Sequence, residues 1–148
     1  MTTAVPYKPP YAELTKEVLK CCFDVAKELG PGFLELPYQK ALAIALQEAD
    51  LSVQLEKPFA LYFREQQVGL YVADLVVEQT AIVELKSCRS LIAEHQAQTI
   101  NYLLASNLPV ALLINFGHPK LQYKRFYHPL LHPDIDPELA PAPLFPWD

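Results

Sequence analysis

The chain has 148 residues, 51% of them hydrophobic and 20% charged, which suffices for one domain with a real core and is too short for two. That balance excludes a disordered chain, and no apolar run reaches the roughly 20 residues of a membrane span. The net charge of −5 argues against a strong general nucleic-acid binder. All 12 basic residues and 13 of the 17 acidic ones precede residue 128, however, so this part is near neutral and a nucleic-acid substrate is not excluded.

Residues 1–10 hold three prolines and little periodicity, and read as an N-terminal arm. They lack the basic-then-apolar build of a secretory signal, so a cytoplasmic location is the expectation. From Tyr11 to Leu29 apolar residues recur at three- and four-residue spacing, which predicts an amphipathic helix ended by Gly30-Pro31-Gly32. A second helix is predicted from about Leu36 to Ala49, with Pro37 tolerated in its first turn and Tyr38, Leu42, Ala45 and Leu46 facing the core. Cys21 and Cys22 fall inside the first helix. With Cys88 they make an odd count without zinc spacing, so buried thiols are expected rather than a disulfide or metal framework.

The period then changes to that of strands. Val53–Phe63 and Val68–Val77 are rich in β-branched and aromatic residues and flank a polar Arg64–Gln67 turn. Ala81–Lys86 reads as a third strand, Ala93–Ser106 as a helix, Val110–Phe116 as a buried strand, and Leu121–Tyr127 as an edge strand. The order helix-helix-β-β-β-helix-β-β predicts an α/β fold, a mixed central sheet flanked by helices, over residues 11–127. The tail, 128–148, has six prolines and reads as an extended wrap or as disordered.

Charge inside apolar strands is the chemical signal. Glu84 and Lys86 are two apart on one strand and therefore share a face with Ile82, while Val83 and Leu85 point the other way. A connection centred on Gln79 sets Asp74 directly across from Glu84. Two carboxylates in reach of one cation, with an ammonium beside them, are a donor set for Mg²⁺ or Mn²⁺ and for phosphodiester hydrolysis. A Glu–Lys pair on an exposed strand face, with Asp74 at a solvated edge, is the competing interpretation. Glu35 falls on the stripe of Tyr38 and Leu42, an odd place for a carboxylate unless it is simply a helix-start residue favoured by the dipole. Gln98 and Tyr102 lie one helical turn apart with His95 on the same face, where they mark either a site or the polar edge of the core.

Gly32-Phe33-Leu34-Glu35-Leu36-Pro37-Tyr38 resembles the G-x-x-E-x-x-Y signature of a family of small bacterial proteins within the PD-(D/E)XK nuclease superfamily. Asp74, Val83-Glu84-Leu85-Lys86, His95 through Tyr102 and Leu113-Ile114-Asn115-Phe116-Gly117 follow in that family's order, with Ala73 in place of the motif proline. The resemblance implies a restriction-endonuclease-like α/β/α sandwich. It implies a divalent metal held by Glu35, Asp74, Glu84 and the Leu85 carbonyl, with Lys86 assisting the attacking water and Gln98 orienting. Tyr102 and His95 would then meet the substrate, with DNA ahead of RNA. A catalytically inactive binding module for nucleic acid or protein on the same fold is the alternative. A chain this small often needs a second copy to embrace a duplex, so a homodimer is among the expectations.

Overall fold

The computed structural model describes residues 10–135. Eight elements follow in the expected order: α1 (Ala12–Leu29), α2 (Glu35–Glu48), β1 (Val53–Phe63), β2 (Gln66–Val77), β3 (Ala81–Lys86), α3 (Ala93–Ser106), β4 (Val110–Asn115) and β5 (Gln122–Tyr127). Helix α1 stops where Gly30 takes φ 70° and donates its N–H to the Ala26 carbonyl at 2.9 Å, the left-handed step that glycine makes cheaply.

The sheet runs β1-β2-β3-β4-β5. Neighbours are antiparallel except β3 and β4, which are parallel over all six residues of each. A parallel pair needs a crossover, and α3 supplies it. Val83, Leu85, Leu112, Ile114 and Tyr123 pack beneath α1 and α2 in one core layer. Ile82, Ala111, Leu113 and Phe126 pack with Leu103 of α3 in the other. The molecule is therefore an α/β/α sandwich on a mixed sheet, as the order of elements required.

The β1–β2 turn is tighter than expected. It consists of Arg64 and Glu65 alone, both at positive φ, so β2 begins at Gln66 rather than Val68. Backbone pairing of Gln66 with Phe63 and of Gln67 with Tyr62 overrides side-chain polarity. The register then slips between Leu61 and Tyr62, which leaves Val68 without an opposite residue, as in a bulge.

Only Leu75–Val77 of β2 pair with β3, through Ala81–Val83. The earlier part of the β1–β2 hairpin runs past the end of β3 as an arm. Alternation reverses where the arm leaves the sheet. Tyr71 and Ala73 belong to the α3 layer, whereas Leu75 and Val77 belong to the α1–α2 layer, although all four are odd-numbered. Asp74 stands at that reversal, and Glu56, opposite it in β1, has φ 50°.

Of the tail at 128–148, residues 128–135 fold back on the domain. The buried His128 accepts N–H bonds from Leu130 and Leu131 at Nδ1, and Ile135 packs against the cluster of Ala81, Val110 and Tyr127. Residues 1–9 of the arm and 136–148 of the tail lie outside the described residues.

Candidate active site

Glu84 and Lys86 project from the last turn of pleat in β3 toward the α3 layer, the side of Ile82. Glu84 is only 6% exposed and Lys86 is half-buried. The register of Leu75 with Val83 carries Asp74 to the position opposite Glu84, yet the ladder stops one pair short of it. Side chains take over the backbone bonds there. The Leu85 N–H donates to Asp74 Oδ2 at 2.8 Å, and the Asp74 N–H donates to Glu84 Oε1 at 3.3 Å. The strands thus splay around two carboxyl groups that are themselves within hydrogen-bonding reach of each other.

Burial, reinforced by that closeness, favours a proton on the pair. Burial first, and the Asp74 charge second, push the Glu84 carboxyl from the usual 4.5 up to about 8. Asp74 is also raised by burial, with the Leu85 N–H and the Lys86 charge acting against the rise. A hard divalent cation fits here because it needs oxygen donors and replaces the proton that the two carboxylates otherwise share. Among the described residues no third His, Cys, Asp or Glu is arranged with them as a metal-binding group. Mg²⁺ tolerates that, since one or two carboxylates with waters and substrate phosphate commonly complete its shell.

Glu35 does not join the pair. It is the first residue of α2 and is exposed, because burial along its stripe begins only at Tyr38, where sheet lies beneath the helix. Its charge is nevertheless felt by Cys88 and His95, so it stands on the rim at this end of the sheet. Gln98 is exposed and hydrogen-bonds the Tyr102 hydroxyl. Tyr102 stacks on Tyr71 with ring centroids 3.4 Å apart at 19°, and the Tyr71 hydroxyl donates to Glu84 Oε1 at 3.2 Å. His95 turns toward its own helix and accepts the Ile92 N–H at Nδ1 (3.2 Å), an N-terminal cap. Burial and then the Lys86 charge lower its basicity.

Three supports escaped the sequence reading. Tyr71 was hidden by the reversal at Asp74, because strict alternation puts it on the wrong face. Gln39, a buried amide on α2, donates Nε2 to the Asp74 carbonyl at 2.9 Å; its polarity on a core-facing stripe was the available signal. Asn115, fully buried in an otherwise apolar strand, was visible in the same way.

Residues 12–126 match the profile of the PD-(D/E)XK nuclease superfamily. The chain belongs to that superfamily. Within the matched span Asp74 and Glu84-Leu85-Lys86 spell the superfamily's name, with Ala73 in place of proline. The α/β/α layering is that of its restriction-endonuclease-like fold. No curated protein matches the chain. A solved structure it resembles is the crystal structure of SSO0001, at 16% identity and a TM-score of 0.48, covering 79% of this chain. The chain spans 59% of that structure's length, and the likeness is too weak to bear on function.

This superfamily member braces the loops on either side of its carboxylates. Tyr38 stacks on Phe116 (4.6 Å, 3°), donates its hydroxyl to the Gly30 carbonyl and accepts the Phe33 N–H at 3.3 Å. It closes the α1–α2 loop that ends at Glu35. Ser87 Oγ donates to the Phe33 carbonyl and ties that loop to the one following Lys86. Asn115 Oδ1 accepts the N–H groups of Cys88 (3.1 Å) and Gly117 (2.9 Å), while Nδ2 donates to the Cys88 carbonyl (3.0 Å) and Gln122 Oε1 (2.9 Å). A Cβ at Gly117 would collide with the Cys88 backbone, so only glycine lets the two loops meet.

Proposed function

We propose that this protein is a divalent-metal nuclease that hydrolyses phosphodiester bonds, in DNA ahead of RNA, and that it belongs to the G-x-x-E-x-x-Y group of its superfamily. The observation that carries this reading is the carboxyl pair of buried Glu84 and half-buried Asp74, made by strand splaying and set beside Lys86. Evolution of a stable fold alone has no use for such a pair, because burying two adjacent carboxylates opposes folding.

Asp74, Glu84 and the Leu85 carbonyl would hold Mg²⁺ or Mn²⁺, whose chemistry is activation of a water and neutralisation of phosphoryl charge. Glu84 gives up its proton to the solvent as the ion is taken up. Lys86, whose charge reaches Asp74, orients the attacking water or offsets the charge that develops on the phosphate. Gln98 and Tyr102 steady Glu84 through Tyr71, and Glu35 would face the metal site from the rim. Water attacks directly.

A homodimer acting in the cytoplasm, where duplex substrate and magnesium are at hand, completes the reading. The inactive binding module keeps one observation in its favour, the exposed position of Glu35 apart from the carboxyl pair. One experiment separates the two: labelled single- and double-stranded DNA and RNA are incubated with Mg²⁺ or Mn²⁺ and with wild type, Glu84→Ala or Lys86→Ala. Metal-dependent cleavage by wild type that both substitutions abolish is expected; cleavage that survives both would place its source elsewhere.

A further inference from the structure

The β1–β2 arm has two unlike faces. Directly opposed residues share a face, so Lys57, Phe59, Leu61 and Phe63 of β1 lie with Tyr71 and Gly69 of β2. This face begins at the carboxyl pair, because Tyr71 reaches Glu84 through its hydroxyl and stacks on Phe59 at 5.9 Å and 23°. Farther out, Leu61 is 48% and Phe63 59% exposed. Gly69 leaves a gap between them and Tyr71, since a Cβ there would meet only Leu61 within 4 Å.

Cations accompany the rings. Lys57 Nζ, which also donates to Gln54 (2.9 Å), lies 5.9 Å from the Phe59 centroid, and Arg64 Cζ lies 4.9 Å from that of Phe63. Arg64 donates no hydrogen bond among the described residues, so its N–H groups remain available beside the ring. From Lys57 to Phe63 this face carries no acidic residue. Exposed rings beside cations suit an unpaired nucleic-acid strand, whose bases stack on aromatic planes while its phosphates meet the charges. A duplex hides its base faces and is held by rows of phosphate contacts, for which two cations are few.

We propose that this face is a stacking surface for an unpaired strand of DNA or RNA, whose backbone runs from Phe63 past Phe59 to the carboxyl pair. The substrate class is therefore a single strand, or the single-stranded end or flap of a duplex. This rests on the proposed nuclease reading and adds to it the form of nucleic acid that is cut.

The test is binding of the full chain, without divalent metal, to a fluorescently labelled single strand and to the same sequence as blunt duplex, followed by anisotropy. The single strand is expected to bind more tightly by about tenfold or more. Phe63→Ala, at an exposed ring, should raise the single-strand dissociation constant about tenfold and leave duplex binding unchanged, and Phe63→Trp should restore it. Gly69→Val suits a strand and meets only ordinary contact with Leu61 at 3.7 Å, yet it fills the gap and should weaken single-strand binding as well. Leu70→Ala, on the opposite face, should change neither affinity. Equal binding of the two forms would overturn the proposal, as would Phe63→Ala and Gly69→Val proteins that bind single strands like wild type. A matching loss in Leu70→Ala would overturn it too, as would a Phe63→Ala protein altered only in its mass by light scattering, which would assign the face to a protein partner. Discriminating binding with no cleavage once Mg²⁺ is added would count against the nuclease reading alone. Cleavage of blunt duplex as fast as single strand would spare that reading and overturn this one.

Discussion

The Leu85 N–H donates to Asp74 Oδ2 at 2.8 Å, at the point where the β2–β3 ladder ends. A main-chain donor that a regular sheet would give to a carbonyl is given to a carboxylate instead. The same displacement turns Glu84 Oε1 toward the Asp74 N–H. Backbone bonding thereby holds together two carboxyl groups that would otherwise separate when both are ionised.

Substitutions at the carboxyl pair should separate chemistry from folding. Asp74→Asn and Glu84→Gln keep the shape and an acceptor oxygen, so melting temperatures without metal should hold or rise. Cleavage should fall by about 10²–10⁴-fold for each, and for Lys86→Ala, as measured by single-turnover rates on a labelled oligonucleotide. Rates within a few-fold of wild type for all three would remove this site from the chemistry.

Tyr71→Phe deletes one hydroxyl while leaving the stack on Tyr102 in place. Without that donor Glu84 Oε1 keeps only the Asp74 N–H at 3.3 Å and is held less firmly, and divalent-metal affinity should drop about 10–100-fold by calorimetry. Tyr71→Leu should lose the stack as well and bind no better. Unchanged affinity in the phenylalanine variant would mean that the hydroxyl only fills a bond.

Stability without metal should fall as pH rises from about 4.5 to about 8. The folded protein keeps the Glu84 proton across that window whereas the unfolded chain has released it, so the contribution is full below 4.5 and lost by about 8. His95 and His128, both lowered chiefly by burial, act in the opposite sense, so the quantity to measure is wild type minus Glu84→Gln in thermal melts. Mg²⁺ should stabilise most at the upper end, where it has no proton to displace. A difference that grows in favour of wild type with rising pH would contradict the assigned burial.

The loop clamp should be sensitive. Asn115→Ala strands the Cys88 N–H and carbonyl and the Gly117 N–H, and should cost about 3 kcal/mol or more in urea unfolding. Gly117→Ala should be of similar severity, since the obstructing atoms are backbone. Losses below about 0.5 kcal/mol in both would show that the loops are joined by other means.

Periodicity was enough for the elements and layers, because a helix stripe and a strand alternation are each written in consecutive residues. It also located Asp74 opposite Glu84, since a three-residue connection sets the register: Val77 pairs with Ala81 and counting outward does the rest. Glu35 was misjudged as buried because spacing reports a stripe and not how far the sheet extends beneath it. Tyr71 could not be found by alternation at all, because the reversal beside it depends on the neighbouring strand, with Glu56 at positive φ.

The amino-acid sequence by itself determined the α/β/α order, the mid-strand charges and their shared face, all properties of local spacing. Only the tertiary structure decided that the strands part around Asp74 and Glu84, that Tyr71 stands behind Glu84, and that Glu35 waits on the rim. Those outcomes follow from which distant segments compete for the same hydrogen-bond donors and the same buried space, and neither competition is visible within one segment of chain.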